Sequence, residues 1–375
     1  MESVQQPGAL LLPVLVNDLG TQTDDEPLTQ YSISSKALSP VAFDELRRYR
    51  CFVTPQGWVL ALDPASCQTF LWRPQDGERI QLPPKEQGFP ESCKCLLSDM
   101  PGAASGSSVV VFDLDDNEMW VCKIGATNWD SHRYEPSMFV KGRIPQLTNI
   151  AMGHGIAAVG GRIYFELTSS ELGVIEFKDG KEGLKLDTIK VDMVDLPLSI
   201  RMASMYLVES SGELFLVVIF FDGENVHKIA NHAVYKMDFS EPKWCEVDEI
   251  GADRVFLLGG DRLGISCFGA SCSAGDHGLR GNCIYFLNHV PTTTKSYLHV
   301  IDLKTGTEEA QRPFITHDGY HMMPVRSPFW LLPTESTLQA QGSSILPSSP
   351  MPPTIRSLVT LFRIFFFVFL FLAMY

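Results

Sequence analysis

From Cys51 to Pro84 apolar and polar positions alternate in short bursts: Trp58, Leu60 and Leu62 after Gly57, then Thr69 to Trp72, then Arg79 to Leu82. Asp63-Pro64 and Gln75-Asp76-Gly77 separate the bursts, and Pro83-Pro84 stop the last one. Period-two apolarity bounded by Gly, Pro and Asp predicts short antiparallel strands joined by tight turns. The unit is a small β-meander.

The meander recurs. Gly57, Gly106, Gly161, Gly212 and Gly281 each precede an apolar run, at separations of 49, 55, 51 and 69 residues. Three of these gaps lie near the ~50-residue period of kelch-type propeller blades. The longest gap holds an extra hairpin, Arg254 to Leu258 and Leu263 to Phe268, followed by a Gly/Ser-rich stretch to Leu279 that reads as a loop. A meander of three or four strands cannot bury both faces alone, so the copies must stack, and radial stacking leaves only short, protected edges. The expected fold is an all-β propeller of about six blades. Five units are visible, and the apolar stretch Ala9 to Val16 with the segment Pro324 to Leu332 supplies strands for a sixth.

The ends read differently. Residues 17 to 30 are polar and acidic, a predicted loop, and Ser39-Pro40 look like a cap and first turn for a short helix from Val41 to Tyr49. Residues 1–50 are therefore a lead-in, 51–332 the propeller, and 333–356 a Pro/Ser-rich linker. Residues 357–375 are apolar except for Ser357, Thr360, Arg363 and Tyr375. As a helix the segment would measure roughly 28 Å, about the thickness of a bilayer core. Its Leu, Ile, Val and Phe residues favour insertion by about 6 kcal/mol, against ~3 kcal/mol for Arg363, which can snorkel with Arg356 toward the cytosol. The tail reads either as a membrane anchor or as an aberrant terminus, or one that packs on the propeller.

Charge narrows the partners. The chain of 375 residues carries a formal charge of −14, which argues against nucleic acid, where Lys and Arg must replace counterions. Nine cysteines, an odd number, are scattered through it, several inside apolar runs, and no Asn-x-Ser/Thr acceptor occurs. A reducing compartment, cytoplasm or nucleus, is expected.

Motifs for chemistry fail on context. Asp113 to Asn117 begins like a calcium loop, yet its sixth and twelfth positions are Glu118 and Ile124 rather than Gly and Glu. Gly153 to Ala158 matches a dinucleotide fingerprint, but Gly160-Gly161 and a predicted strand follow where a helix must stand. Cys267, Cys272, His277 and Cys283 form the most zinc-like group, without the close Cys pair usual for such sites, and Cys93-x-Cys95 has no partner pair. His227, His232 and His317 fall near predicted turns. No residue is singled out as catalytic, cofactor-binding or metal-binding, and no cofactor is expected. The long loop 269–280 and the acidic turn 113–118 are the candidate binding elements, because propellers bind through inter-strand loops.

Taken together, GWVLALDPASCQTFLW (57–72), GERIQLP (77–83), YLVESSGELFLV (206–217), VYKMDFSEPKWCEVDEIGADRVFLLG (234–259), LRGNCIYF (279–286) and LHVIDLKTG (298–306) resemble the plant F-box-associated β-propeller family of the KIB type. The resemblance covers about residues 50 to 312. It implies a propeller that recognises a protein, in some members as substrate receptor of a cullin-type ubiquitin ligase. Residues 1–50 lack the three-helix pattern of an F-box, so a ligase role here would need recruitment through another subunit. The expectation is thus a noncatalytic protein-binding propeller of unknown partner, with a cullin-ligase receptor and a propeller hydrolase as alternatives.

Overall fold

The computed structural model describes residues 12–18, 28–41, 43–103, 106–134, 155–168, 170–177, 184–192, 194, 202–223, 225–261, 268–290, 295–315 and 326–334, all within one compact unit, Met1–Thr337. Six sheets make a six-bladed propeller. Blade I is Arg50–Val53, Val59–Leu62, Thr69–Trp72 and Arg79–Leu82. Blade II is Cys93–Leu97, Ser108–Asp113, Glu118–Lys123 and Asp130–Arg133; blade III is Ile156–Val159, Arg162–Thr168, Glu171–Phe177 and Leu184–Lys190. Blade IV is Met202–Ser210, Glu213–Asp222, Asn225–Asp238 and Lys243–Glu246. In all four the strands pair antiparallel in chain order, as local hairpins dictate.

Blade VI closes the ring with both ends of the propeller. Arg326–Leu331 pairs with Val14–Asp18, in the register Leu15 to Trp330 and Val16 to Phe329, and Thr29–Ser32 and Ala37–Pro40 complete the sheet. The propeller therefore reaches N-terminal of the boundary at residue 51. Ser39 and Pro40 end a strand, and the chain stays sheet-bound to Val41, whose N–H donates to Leu28 O at 2.7 Å. The helix that follows is a single turn, Glu45–Arg48, shorter than expected.

Blade V departs most from the repeat. Its sheet has five strands, because Arg254–Asp261 inserts between the innermost strand Phe268–Ser273 and Cys283–Val290, antiparallel to the first and parallel to the second; Lys295–Asp302 and Thr307–Gln311 follow. Half of the expected loop 269–280 is thus a buried inner strand. Its small residues fit there because the inner strands crowd: a Cβ at Gly269 would lie 2.5 Å from Val208 Cγ2 and 2.7 Å from Leu207 O of blade IV.

The core is divided among the seams between blades, one apolar cluster for each of six interfaces. Leu15, Leu257, Tyr285 and Trp330 fill the seam between V and VI, for example, and Val16, Val59, Phe70 and Trp72 that between VI and I. Alternate residues of a strand point to opposite faces, so each blade feeds two seams, and this is what the period-two pattern encodes. At the repeat's opening turns, Gly57 and Gly212 hold φ near +80°, a region that L side chains rarely enter. Gly281 does not; there Asn282 takes the left-handed conformation, and Gly281 is needed because a Cβ would collide with Ala252 O.

Candidate functional site

In blades I to IV the turns from first to second strand lie on one face of the ring, and the connections from second to third on the other; residues 274–282 of blade V lie at the end of the sheet that meets the Ser210–Glu213 turn of blade IV. The acidic turn 113–118 follows the second strand of blade II, whereas residues 274–282 lead into the strand Cys283–Val290 of blade V. The two candidate binding elements therefore occupy opposite faces and cannot form one surface. The acidic turn is also bonded to itself. Asp113 is buried and its Oδ1 accepts from the N–H groups of Asp115 and Asp116 at 2.8 and 3.2 Å, while Asp116 pairs with Arg133 at 3.2 Å.

The same self-bonding recurs at other turns. Asp63 accepts from Ala65 N–H and the Ser66 hydroxyl, Asp238 from Ser240, and Asp302 from the N–H groups of Lys304 and Thr305. These hydrogen bonds favour the ionised carboxylate and hold all three below the usual carboxylate range. Such turns are rigid, preformed features of both faces.

The thiols are placed for packing. Cys93, Cys95 and Cys122 lie in the seam between blades I and II, where burial pushes the thiols of Cys93 and Cys122 up to about 12 and that of Cys95 higher. Cys272 and Cys283 flank Val255, one on each neighbouring strand. Two inter-strand spacings make roughly 9.6 Å, too far to share a zinc ion bound at ~2.3 Å. Among the described residues no three His, Cys, Asp or Glu side chains are arranged to hold a metal. Cys267, Gly153, His154 and His317 lie outside the described residues, and Ile156–Val159 is a strand, so no helix follows the fingerprint glycines.

His227 lies near a turn, as expected, two residues into the strand Asn225–Asp238, whereas His232 lies in the middle of that strand, and both face blade V. The His227 ring lies 5.0 Å from that of Tyr297, and Tyr297 lies 6.2 Å from His299. His299 is 2 % exposed, stacks on Phe286 at 5.9 Å and bonds through Nδ1 to Glu308 Oε1 at 2.6 Å. Burial keeps His299 and His232 below the ordinary histidine value, with Glu308 opposing the shift in both. The enclosed imidazole, held by a carboxylate that itself reaches the surface, braces the seam between blades IV and V. The sequence reading passed over His299, although its place between Tyr297 and Ile301 on the same strand face marks it as seam-facing.

A family model, the KIB1-4 beta-propeller, matches residues 30–311. The chain belongs to the KIB1-4 propeller family. The match ends at Gln311, the last residue of blade V's outer strand, so both strands that pair to close this KIB1-4 ring, Val14–Asp18 and Arg326–Leu331, lie outside it. No curated protein matches the chain in sequence. Among solved structures, a streptogramin B lyase is 8 % identical, covering 85 % of this chain and 93 % of its own, with a TM-score of 0.29. A chain of a nidogen/laminin complex is 10 % identical over 85 % and 98 % at 0.33, and Hsv2 of Kluyveromyces lactis 11 % over 74 % and 68 % at 0.29. Likenesses this distant carry no argument about the activity or partner of the KIB1-4 chain.

Proposed function

We propose that this KIB1-4 propeller is a noncatalytic protein-recognition module of the cytoplasm or nucleus. The observation that carries the reading is the set of self-bonded aspartate turns on both faces of a closed ring. Preformed turns lose little conformational freedom on binding, which suits recognition of a folded partner. Among the described residues, the thiols of Cys93, Cys95 and Cys122 and the imidazole of His299 are spent on seams between blades. Residues 357–375 lie outside the described residues, and no described helix is long and apolar enough to cross a membrane. Their apolar sequence supports a membrane tether facing the cytosol as an added element of the proposal.

The test is proximity labelling in cells with the full chain and with a truncation ending at Pro353, followed by direct binding of the recovered proteins to the purified propeller. Saturable binding of one protein by both forms supports recognition by the propeller. Recovery of a cullin adaptor would redirect the reading to a ligase receptor, and loss of membrane proteins on truncation would establish the tether. Turnover of a small molecule with no saturable protein binding would overturn the proposal.

A further inference from the structure

At the seam between blades V and VI one side chain is fully buried with its hydrogen-bonding capacity unused. Asn17 is 0 % exposed, and neither its amide nitrogen nor its amide oxygen has a hydrogen-bond partner. Directly opposite in register on the next strand stands Thr29, whose hydroxyl oxygen is also buried and unpartnered. Opposed residues of an antiparallel pair carry Cβ atoms ~4.5–5.5 Å apart and point to the same face. Asn17 follows Leu15, and Thr29 precedes Tyr31, by one alternation, so both point into the seam that Leu15 and Tyr31 fill. On blade V, His289 and Ser296 continue the faces of Leu287 and Leu298 in the same way; both are buried and they bond to each other at 2.9 Å. The end of an otherwise apolar seam is therefore polar from both sides.

An amide brings two donors and an acceptor, and a hydroxyl one donor and an acceptor. Leaving them unmet in the interior is unfavourable, and buried waters typically make about three hydrogen bonds to groups of this kind. We propose that Asn17 and Thr29 form a hydration site, holding one ordered water between the amide and the hydroxyl at the seam that closes the ring. The water belongs to the folded propeller, and it would make the closing seam specific in register, because slipping Val14–Asp18 by one residue would aim Asn17 into the apolar seam with blade I.

Asn17→Leu and Thr29→Val keep size and remove the polar atoms. If the water is held, each variant lowers the melting temperature by ~2–4 °C. The double variant then loses less than the sum, since the second change finds the water already gone. An unchanged or raised melting temperature for Asn17→Leu would overturn the proposal, because replacing an unsatisfied amide by an apolar group is neutral or stabilising. A crystal structure of the unaltered propeller gives an independent readout. A solvent peak ~2.8–3.0 Å from both the Asn17 amide and the Thr29 hydroxyl supports the site, and an amide turned onto a protein partner rejects it.

Discussion

His299 and Glu308 form a buried-to-surface pair: Nδ1 and Oε1 stand 2.6 Å apart, with the imidazole enclosed and the carboxylate's side chain 32 % exposed. The pair links the fourth and outer strands of blade V, while His227 and His232 face it from blade IV. Burial lowers the affinity of both His299 and His232 for a proton. The unfolded chain binds those protons near pH 6.5, before the folded propeller does, so it is favoured as pH falls. Stability from this seam is complete above about pH 6.5 and is lost progressively below it. Thermal melts at pH 7.5 and 5.5 should show a lower midpoint at the acid end, and His299→Gln should flatten that dependence. The lowered carboxylates of Asp63, Asp238 and Asp302 act at lower pH, below about 4, and do not confuse the comparison.

Gly269→Ala should destabilise the propeller by about 1–3 kcal/mol or more, since the new methyl group meets both Val208 and the Leu207 carbonyl. Urea unfolding would register this as a lower midpoint with an unchanged slope. Gly77→Ala makes a useful control, because nothing lies within 4 Å of its Cβ position and only its φ of +78° is unfavourable.

Trp330 donates its indole N–H to Leu258 O at 3.0 Å and is 1 % exposed. Trp330→Phe keeps an aromatic ring but removes the indole donor and part of a fully buried side chain, at a cost of about 1–3 kcal/mol. Intrinsic fluorescence followed through denaturant would measure it.

Alkylation should order the cysteines by their surroundings. Cys93, Cys95 and Cys122, buried and held as thiols, should resist iodoacetamide in the folded protein. Cys51, Cys67 and Cys245, which are half-buried, should react first. Mass spectrometry of tryptic peptides over a time course checks the order, and early labelling of Cys95 would contradict the packing described for the seam between blades I and II.

The second to fourth strands of blades I to IV were legible because what they need is local: a glycine turn and alternating apolar residues such as Trp58, Leu60 and Leu62, helped in blades I, II and IV by an aspartate that ties its own turn. Blade V was only partly legible. Phe268–Ser273 is Gly, Ala, Ser and Cys after its first residue, a composition that reads as loop and is required where inner strands approach closely. The parallel insertion of Arg254–Asp261 has no local signature, since its partner Cys283–Val290 is set by the packing of the ring. The seam histidines were missed for another reason. Alternation tells which positions face a neighbouring blade, but it does not tell that a polar residue among them, His299 or Asn17, is enclosed.

The pairing of Val14–Asp18 with Arg326–Leu331 also bears on how the protein is made. The two strands are separated by roughly 300 residues, which a ribosome needs on the order of half a minute to add at ~5–20 residues per second. For that interval the emerging chain carries Val14, Leu15 and Val16 without the edge they are shaped to meet. Blades I to IV can assemble as each is synthesised, but the first strand made must wait for the last, so the open-edged nascent propeller is the species most in need of a chaperone.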